Sequence, residues 1–455
     1  MTYQQQLEQQ KAYFQQGTTR NIAWRKQQLT QIKKLVNDNE QAIIAALKAD
    51  LGKPSQEAWI TEISYITNEV DHALSKLKSW LKPQKVHTPL LAQPGQSAIK
   101  AEPYGSVLII GAWNYPFQLV FAPLVAVIAA GNCAVLKPSE LAPNISALVA
   151  KLVPEYLDTE AIHVVEGGVE QTSALLELAW DHIMYTGNGQ VGRIVMTAAA
   201  KHLTPVTLEL GGKSPVFVDR SADLTITCQR LAWGKWMNAG QTCIAPDYIL
   251  TTADMVMPLI NELVLQIKAM FGEDAKQSDS YGRIINERHC QRLQQYLMDQ
   301  DVAFGGSVDV SQRYIEPTIV IDPDVTSSLM TEEIFGPILP IISIDSFAQA
   351  KQFIINRDKP LAAYLFSKEK TQHSDWVEQI SAGSQCINDV MMFNAVTELP
   401  FGGVGPSGMG RYSGKHGFDN FSHFKAVLKR PFIKDVALRF APYTAFKLAL
   451  LRKLR

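Results

Sequence analysis

A chain of 455 residues is longer than one ordinary core organises, so two or three domains are expected. Its 46% hydrophobic and 19% charged residues are those of a soluble globular protein, and a net charge of −1 leaves no basic excess to neutralise nucleic-acid phosphates. Five cysteines without a CxxC pair and nine histidines without a metal-binding spacing argue against a disulfide framework and a metal site, and fit a reducing cytoplasm.

The first residues, MTYQQQLEQQKAYFQQ, are polar and glutamine-rich and lack the apolar core of a signal peptide. Apolar residues at three- and four-residue spacing predict helices over Tyr3 to Phe14 and Thr19 to Asp50, the latter stopped by Gly52 and Pro54. Another helix is predicted from Ser55 through Trp59, Ile63, Ile66, Val70, Leu74 and Leu77, ending at Pro83. Residues 82 to 102 lose this periodicity, and Ser97 to Glu102 read as a projecting strand.

From Gly105 the pattern becomes α/β. Ser106 to Gly111 is apolar without alternation, as a buried parallel strand requires, and a bulky turn, Ala112 to Pro116, follows it. A helix from Leu119 to Ala130, a strand and turn from Asn132 to Glu140, and strands at His163 and at His182 to Thr186 continue the alternation. That order predicts a doubly wound sheet with ligands beyond the carboxyl ends of its strands. A second α/β unit follows Glu209, with strands at Pro215 to Val218, Tyr248 to Thr251, Pro340 to Ile344 and Ala363 to Phe366, and a helix around Met255 to Phe271. Phe401 to Gly410 places five glycines in ten positions and is expected to be a loop. Between Ile433 and Arg455 stand six basic residues (434, 439, 447, 452, 453, 455) against Asp435 alone. There Tyr443, Phe446, Leu450 and Leu454 share one helical face, with Lys447 near it. Such a tail suits an anionic membrane surface, or docking on the protein's own body or on a partner subunit.

Three stretches carry reactive groups. Asn238-Ala-Gly-Gln-Thr-Cys243 presents a thiol on a loop of small residues, where backbone N–H groups and a substrate can approach the sulfur. Cys133, Cys228, Cys290 and Cys386 lack that setting and read as structural. Glu209, flanked by Leu208 and Leu210 and followed by a Gly pair, is suited to act as a base because an apolar flank raises a carboxylate's pKa. A competing role comes from Gly187-Asn-Gly189-Gln-Val-Gly192, which matches G-x-G-x-x-G after a strand; an acidic residue about 20 positions on would bind a ribose, and Glu209 lies there. Asn114 stands in the turn after a central strand, positioned to donate to an oxyanion or to bond its own backbone.

The blocks GAWNYPF (111 to 117), AAGNCAVLKPSE (129 to 140), YTGNGQVG (185 to 192), AAAKHLTPVTLELGGKSP (198 to 215), WMNAGQTCIAPDYIL (236 to 250), EEIFGP (332 to 337) and LPFGGVGPSGMG (399 to 410) resemble the aldehyde dehydrogenases. The resemblance is strongest to their class 3 branch and runs from the first long helix to about Arg430. It implies oxidation of medium- to long-chain aliphatic or aromatic aldehydes to acids with NAD, or NADP, through a cysteine thiohemiacetal and thioester. Cys243 would be the nucleophile, Glu209 the base and Asn114 the oxyanion donor. Lys137 and Glu140 would hold the adenosine ribose, Gly187 and Asn188 would lie near the pyrophosphate, and Glu333 and Phe335 would place the nicotinamide. Trp113, Gly192 and Leu210 complete the expected cofactor contacts. Gly189 departs from the family's usual residue. Tyr65, Tyr115, Trp233, Met237, Ile244 and Phe401 would line an apolar substrate funnel.

The implied architecture is a Rossmann-like NAD-binding domain (1–81 and 103–208), an α/β catalytic domain (209–404), a small β oligomerisation arm (82–102 and 405–431) and a basic tail (432–455). A homodimer, a small-molecule aldehyde, and a cytoplasmic chain able to touch a membrane through its tail complete the expectation. A cysteine hydrolase would want a histidine base in a recognisable motif, and a scaffold without chemistry would not need every one of these residue types. Thioester hydrolysis is a half-reaction of the favoured chemistry, so esterase side activity is also expected.

Overall fold

The computed structural model describes residues 2–433 and 435–453. Six strands form the first large sheet, in the order Gly408–Met409, Val206–Glu209, His182–Thr186, Ser106–Ile110, Cys133–Lys137 and Ile162–Val164. All but the first pair in parallel. Parallel strands carry helices on both faces, which is why Ser106–Ile110 and Cys133–Lys137 are buried at every position. The helix Gln118–Ala130 is apolar all round and buried throughout, as a helix enclosed on every side must be.

Chain order reverses at the central strand. Ser106–Ile110 has Cys133–Lys137 on one side and His182–Thr186 on the other, so Ile110 is level with both Lys137 and Tyr185. The turns leaving these strands diverge and open a crevice at their carboxyl ends. Next to them Glu209 ends its strand level with Thr186.

The second large sheet has seven strands, in the order Val302–Phe304, Thr318–Ile321, Ile338–Ile344, Tyr248–Thr252, Pro215–Val218, Ala362–Phe366 and Ser384–Ile387. Only the first pairs antiparallel. The stretch Ala253–Gln277 is long and apolar enough to cross a membrane by composition. In the fold its helix packs on Leu224–Trp236 and on the Ile338–Ile344 strand, burying Val256, Leu259, Leu263 and Ile267.

A third, antiparallel sheet joins Gln84–Val86, Gln96–Pro103 and Ser422–Lys429, and its outer strands are almost wholly exposed. The expected arm segment 405–431 therefore divides. Gly408–Met409 pairs with the Glu209 strand, and the helix Gly414–Asn420 packs on Gln118–Ala130, so the arm strand starts only at Ser422. The expected helix from Thr19 to Asp50 is also divided. A short 3-10 turn, Thr18–Arg20, precedes Ile22–Asp38, and Glu40–Leu51 follows after Asn39. Asn39 leaves helical geometry, and its side-chain amide donates to the Leu35 carbonyl and to Tyr156. At the other end Ala445–Lys453 is helical with none of its described residues buried, and Tyr443 and Phe446 face solvent. Lys434, Leu454 and Arg455 of the predicted basic tail lie outside the described residues.

Candidate active site

Two loops interlock where the two large units meet. Asn238, Ala239 and Gly240 are all left-handed, with φ of 52°, 51° and 75°. A Cβ on Gly240 would come within 2.2 Å of the Gly336 carbonyl oxygen, so only glycine allows that approach. Two non-glycine residues in this region need outside support. They receive it from the Asn114 turn: the Asn238 amide donates to the Asn114 carbonyl (2.8 Å) and the Asn114 amide donates to the Gln241 carbonyl (3.1 Å). Tyr115 and Thr242 share a hydroxyl–hydroxyl bond of 2.6 Å. Gln241 closes the loop by donating to the Asn238 and Arg283 carbonyls and accepting from the Ile285 N–H.

At the end of this loop Cys243 is partly buried and lines a cleft of about 1700 Å³. Asn114, Glu209 and Glu333 line the same cleft. Glu209 is 3% exposed, and neither of its carboxylate oxygens has a hydrogen-bond partner. Burial therefore pushes its pKa well above the carboxylate range. Burial likewise raises the Glu333 carboxyl to about 8, with Asp247 adding to the effect. The Cys243 thiol is raised by burial first, and by the nearby Glu333 and Glu209 carboxylates next.

The rest of the cleft follows the strand ends. Lys137 is 1% exposed, donates to the Pro138 carbonyl at 2.8 Å and pairs with Glu140 at 3.6 Å. Asn188 caps the helix Gly189–Ala200 by accepting from the Val191 N–H, leaving that helix start open to the cleft. Trp113 meets Phe335 edge to face at 5.2 Å and tilts against His289 at 5.1 Å. The Glu333 carboxylate is pressed so close to Gly211 that a Cβ there would stand 1.9 Å from Oε2. Gly192 does not line the cleft as expected. Its missing side chain instead makes room for Leu210, whose Cδ2 would lie 2.8 Å from a Cβ, so the glycine serves helix-to-strand packing. The cleft is roomier than an ordinary small-molecule pocket, and its unpartnered Glu333 Oε1 and open helix start suit a dinucleotide.

The sequence pattern of the aldehyde dehydrogenase family matches residues 2–427. A dimeric, NADP-preferring aldehyde dehydrogenase of Canis lupus familiaris is 46% identical over 429 residues, covering 94% of this chain and 95% of its own. The chain belongs to the aldehyde dehydrogenase family. Aldehyde dehydrogenase family 3 member A2 of Mus musculus is 48% identical over 415 residues, covering 91% of this chain and 86% of its own. The solved substrate-bound state of Staphylococcus aureus AldH matches with a TM-score of 0.97 and 43% identity, covering 100% of this chain and 99% of that one. Class 3 similarity and NAD(P)-dependent aldehyde oxidation are thereby established for this aldehyde dehydrogenase.

Of the six residues expected along a funnel, Phe401 alone lines the large cleft. Tyr115 is tied to Thr242, Tyr65 donates to Asn394, and Met237, Ile244 and Trp233 pack in or against the main core. Their apolar character serves packing as well as a funnel would. Several residues that hold this dehydrogenase's cleft in shape were not singled out in the sequence. Tyr412 pairs with Phe401 through both backbone bonds and lines the cleft. Lys213 forms an ion pair with Asp247 and donates to the Leu329 and Glu332 carbonyls, while Asp247 accepts from the Ile334 N–H, so the pair fixes the Glu333 loop. Arg292 donates to the Ile334 carbonyl from the other side. The GGKSP block displays Lys213 openly, yet nothing local indicates that its partner is 34 residues away.

Proposed function

We propose that this dehydrogenase oxidises apolar aldehydes of medium to long chain, with Cys243 as nucleophile, Glu209 as base and Asn114 as oxyanion donor. The observation that carries the reading is the sharing of one cleft by a partly buried thiol and a carboxylate with no partner for either oxygen. The Cys243 thiol gives its proton to solvent through the cleft and the sulfur adds to the aldehyde carbon, placing negative charge on the former carbonyl oxygen. The Asn114 amide has two N–H donors; one is used on Gln241, and the second supports that oxyanion. NAD or NADP would be held by Lys137, Glu140, Gly187, Asn188, Trp113, Leu210, Glu333 and Phe335, which line the cleft, and would supply the hydride acceptor that oxidation to a thioester needs. Glu209 then takes a proton from water, whose oxygen attacks the thioester carbon; the acid leaves and the sulfur is restored.

Phe401 and Tyr412, whose rings lie 5.4 Å apart and which line the same cleft as Cys243, support an apolar substrate. Exposed Phe424, Val427 and Leu428 on the arm sheet support pairing with a second copy, in keeping with the dimeric relative. Exposed Tyr443 and Phe446, with Arg439, Arg452 and Lys453 nearby, support contact of the tail with an anionic membrane surface.

Rapid mixing of the enzyme with NAD and hexanal tests the assignment. Glu209→Gln should release one burst of NADH and then stall, because acylation survives and deacylation does not. If the variant chiefly weakens NAD binding instead, Glu209 holds a ribose and the base lies elsewhere. A steady-state screen from short to long aldehydes with NAD and NADP reads chain preference; a flat profile would remove the apolar reading.

A further inference from the structure

Behind the Asn114 turn lies an ion pair that does not line the cleft. Lys53 and Glu62 are both completely buried, and Lys53 Nζ donates to Glu62 Oε1. Burying two charges is expensive, and such a pair is often no more stabilising than apolar residues of the same volume. Its geometry, however, is specific. Lys53 Nζ also reaches the Asn114 carbonyl oxygen at 3.3 Å and stands 4.1 Å from the centre of the Tyr115 ring. The other Glu62 oxygen accepts from the Phe117 N–H (2.9 Å) and the Gln118 N–H (3.2 Å), gripping the start of the helix that the turn leads into. Glu62 projects from a π-helical turn, Trp59–Ile63, a local widening of the helix that aims a side chain differently from its neighbours. The pair thus holds the turn 114–118 at four points: a carbonyl, a ring and two N–H groups.

That turn is what supports the strained cysteine loop, through Asn238, Gln241 and Thr242. We infer that Lys53 and Glu62 are positioning residues, which set Asn114 against Cys243 so that its free N–H meets the developing oxyanion. The inference rests on the assignment of Asn114 as oxyanion donor. With the lysine gone, the Asn114 carbonyl keeps only its bond from Asn238, and the turn can rotate without unfolding.

A double-mutant cycle tests it on the full-length enzyme. Lys53→Met risks leaving Glu62 as an orphaned buried charge, so Lys53→Met/Glu62→Gln is made beside it; that pair is neutral and keeps an acceptor for the Phe117 N–H. Either should lower kcat by about 10- to 100-fold, since small misplacements of a catalytic group cost that much. NAD affinity should stay within about twofold, whereas a merely structural role would move it. Asn114→Ala alone should lower kcat by about 100-fold, as loss of an oxyanion donor does. In that background the Lys53/Glu62 pair variant should add less than about twofold. Additive losses, a fall in NAD affinity, or unchanged kcat in the folded pair variant would each overturn the inference. If Asn114→Ala itself leaves kcat within about twofold, the oxyanion assignment fails and the inference with it; only that single variant reports this outcome.

Discussion

Glu62 and Glu209 are two carboxylates buried to nearly the same degree, at 0% and 3% exposure, in opposite electrostatic conditions. Glu62 has a lysine on one oxygen and two backbone N–H groups on the other. Neither oxygen of Glu209 has a partner. Burial alone therefore does not mark a working acid. The difference is satisfaction: a carboxylate whose acceptors are filled is fixed in place, while one left bare holds its proton tightly and can exchange it with water or substrate.

The comparison can be broken at several points. The largest effect is expected for Cys243→Ala, which removes the proposed nucleophile. Steady NADH production from hexanal should fall by more than about 10⁴-fold, and residual turnover above that level would place the nucleophile elsewhere. Glu209→Gln should slow steady turnover by about 10²- to 10⁴-fold while keeping the burst. The same variant should also be more stable than wild type as pH rises. The raised carboxyl pKa means the folded state binds a proton that the unfolded state has released above its ordinary value near pH 4.5. Folded wild type therefore loses stability as pH increases through that window, and glutamine does not. Melting curves at pH 5 and pH 8 should show the gap in Tm widening at the higher pH; a constant gap would mean that Glu209 is not held neutral.

Smaller effects sharpen the picture. Wild-type kcat/KM should climb from pH 6 to pH 9 by up to about tenfold per unit, because the thiol of Cys243 is raised and must give up its proton before it adds to the aldehyde. A flat profile would contradict that shift. Gly211→Ala should weaken cofactor binding by about tenfold, since the new methyl displaces the Glu333 carboxylate, and an NADH fluorescence titration reads it directly. Last, truncation after Pro431 should reduce activity on long aldehydes about threefold more than on short ones if the exposed Tyr443 and Phe446 face serves apolar substrates at a surface. Equal loss across chain length would remove the tail from substrate choice.

Much of the nucleotide-binding sheet was readable because its strands are continuous apolar runs ended by turn residues, as Ser106–Ile110 and His182–Thr186 show. The family resemblance points to Lys137 and Asn188, the apolar flank points to Glu209, and all three line one crevice. Packing roles were harder to separate from contact roles. Gly192 and Tyr115 carry the residue types of a binding site, yet one admits Leu210 and the other bonds Thr242. The apolar period runs on through Asn39, but side-chain hydrogen bonds there outcompete the helix. The glycine-rich loop 401–410 offers no apolar period to show which sheet it joins, and Gly408–Met409 pairs with the Glu209 strand.

What the sequence determined by itself is the α/β alternation, the thiol on its loop of small residues and the family to which these blocks belong, because each is written in residues close together in the chain. What only the tertiary structure decided is the state of the charged groups. Whether Glu62 is filled and Glu209 bare, and whether Lys53 reaches Asn114 from 61 residues away, depends on which donors the fold brings within about 3 Å of each oxygen.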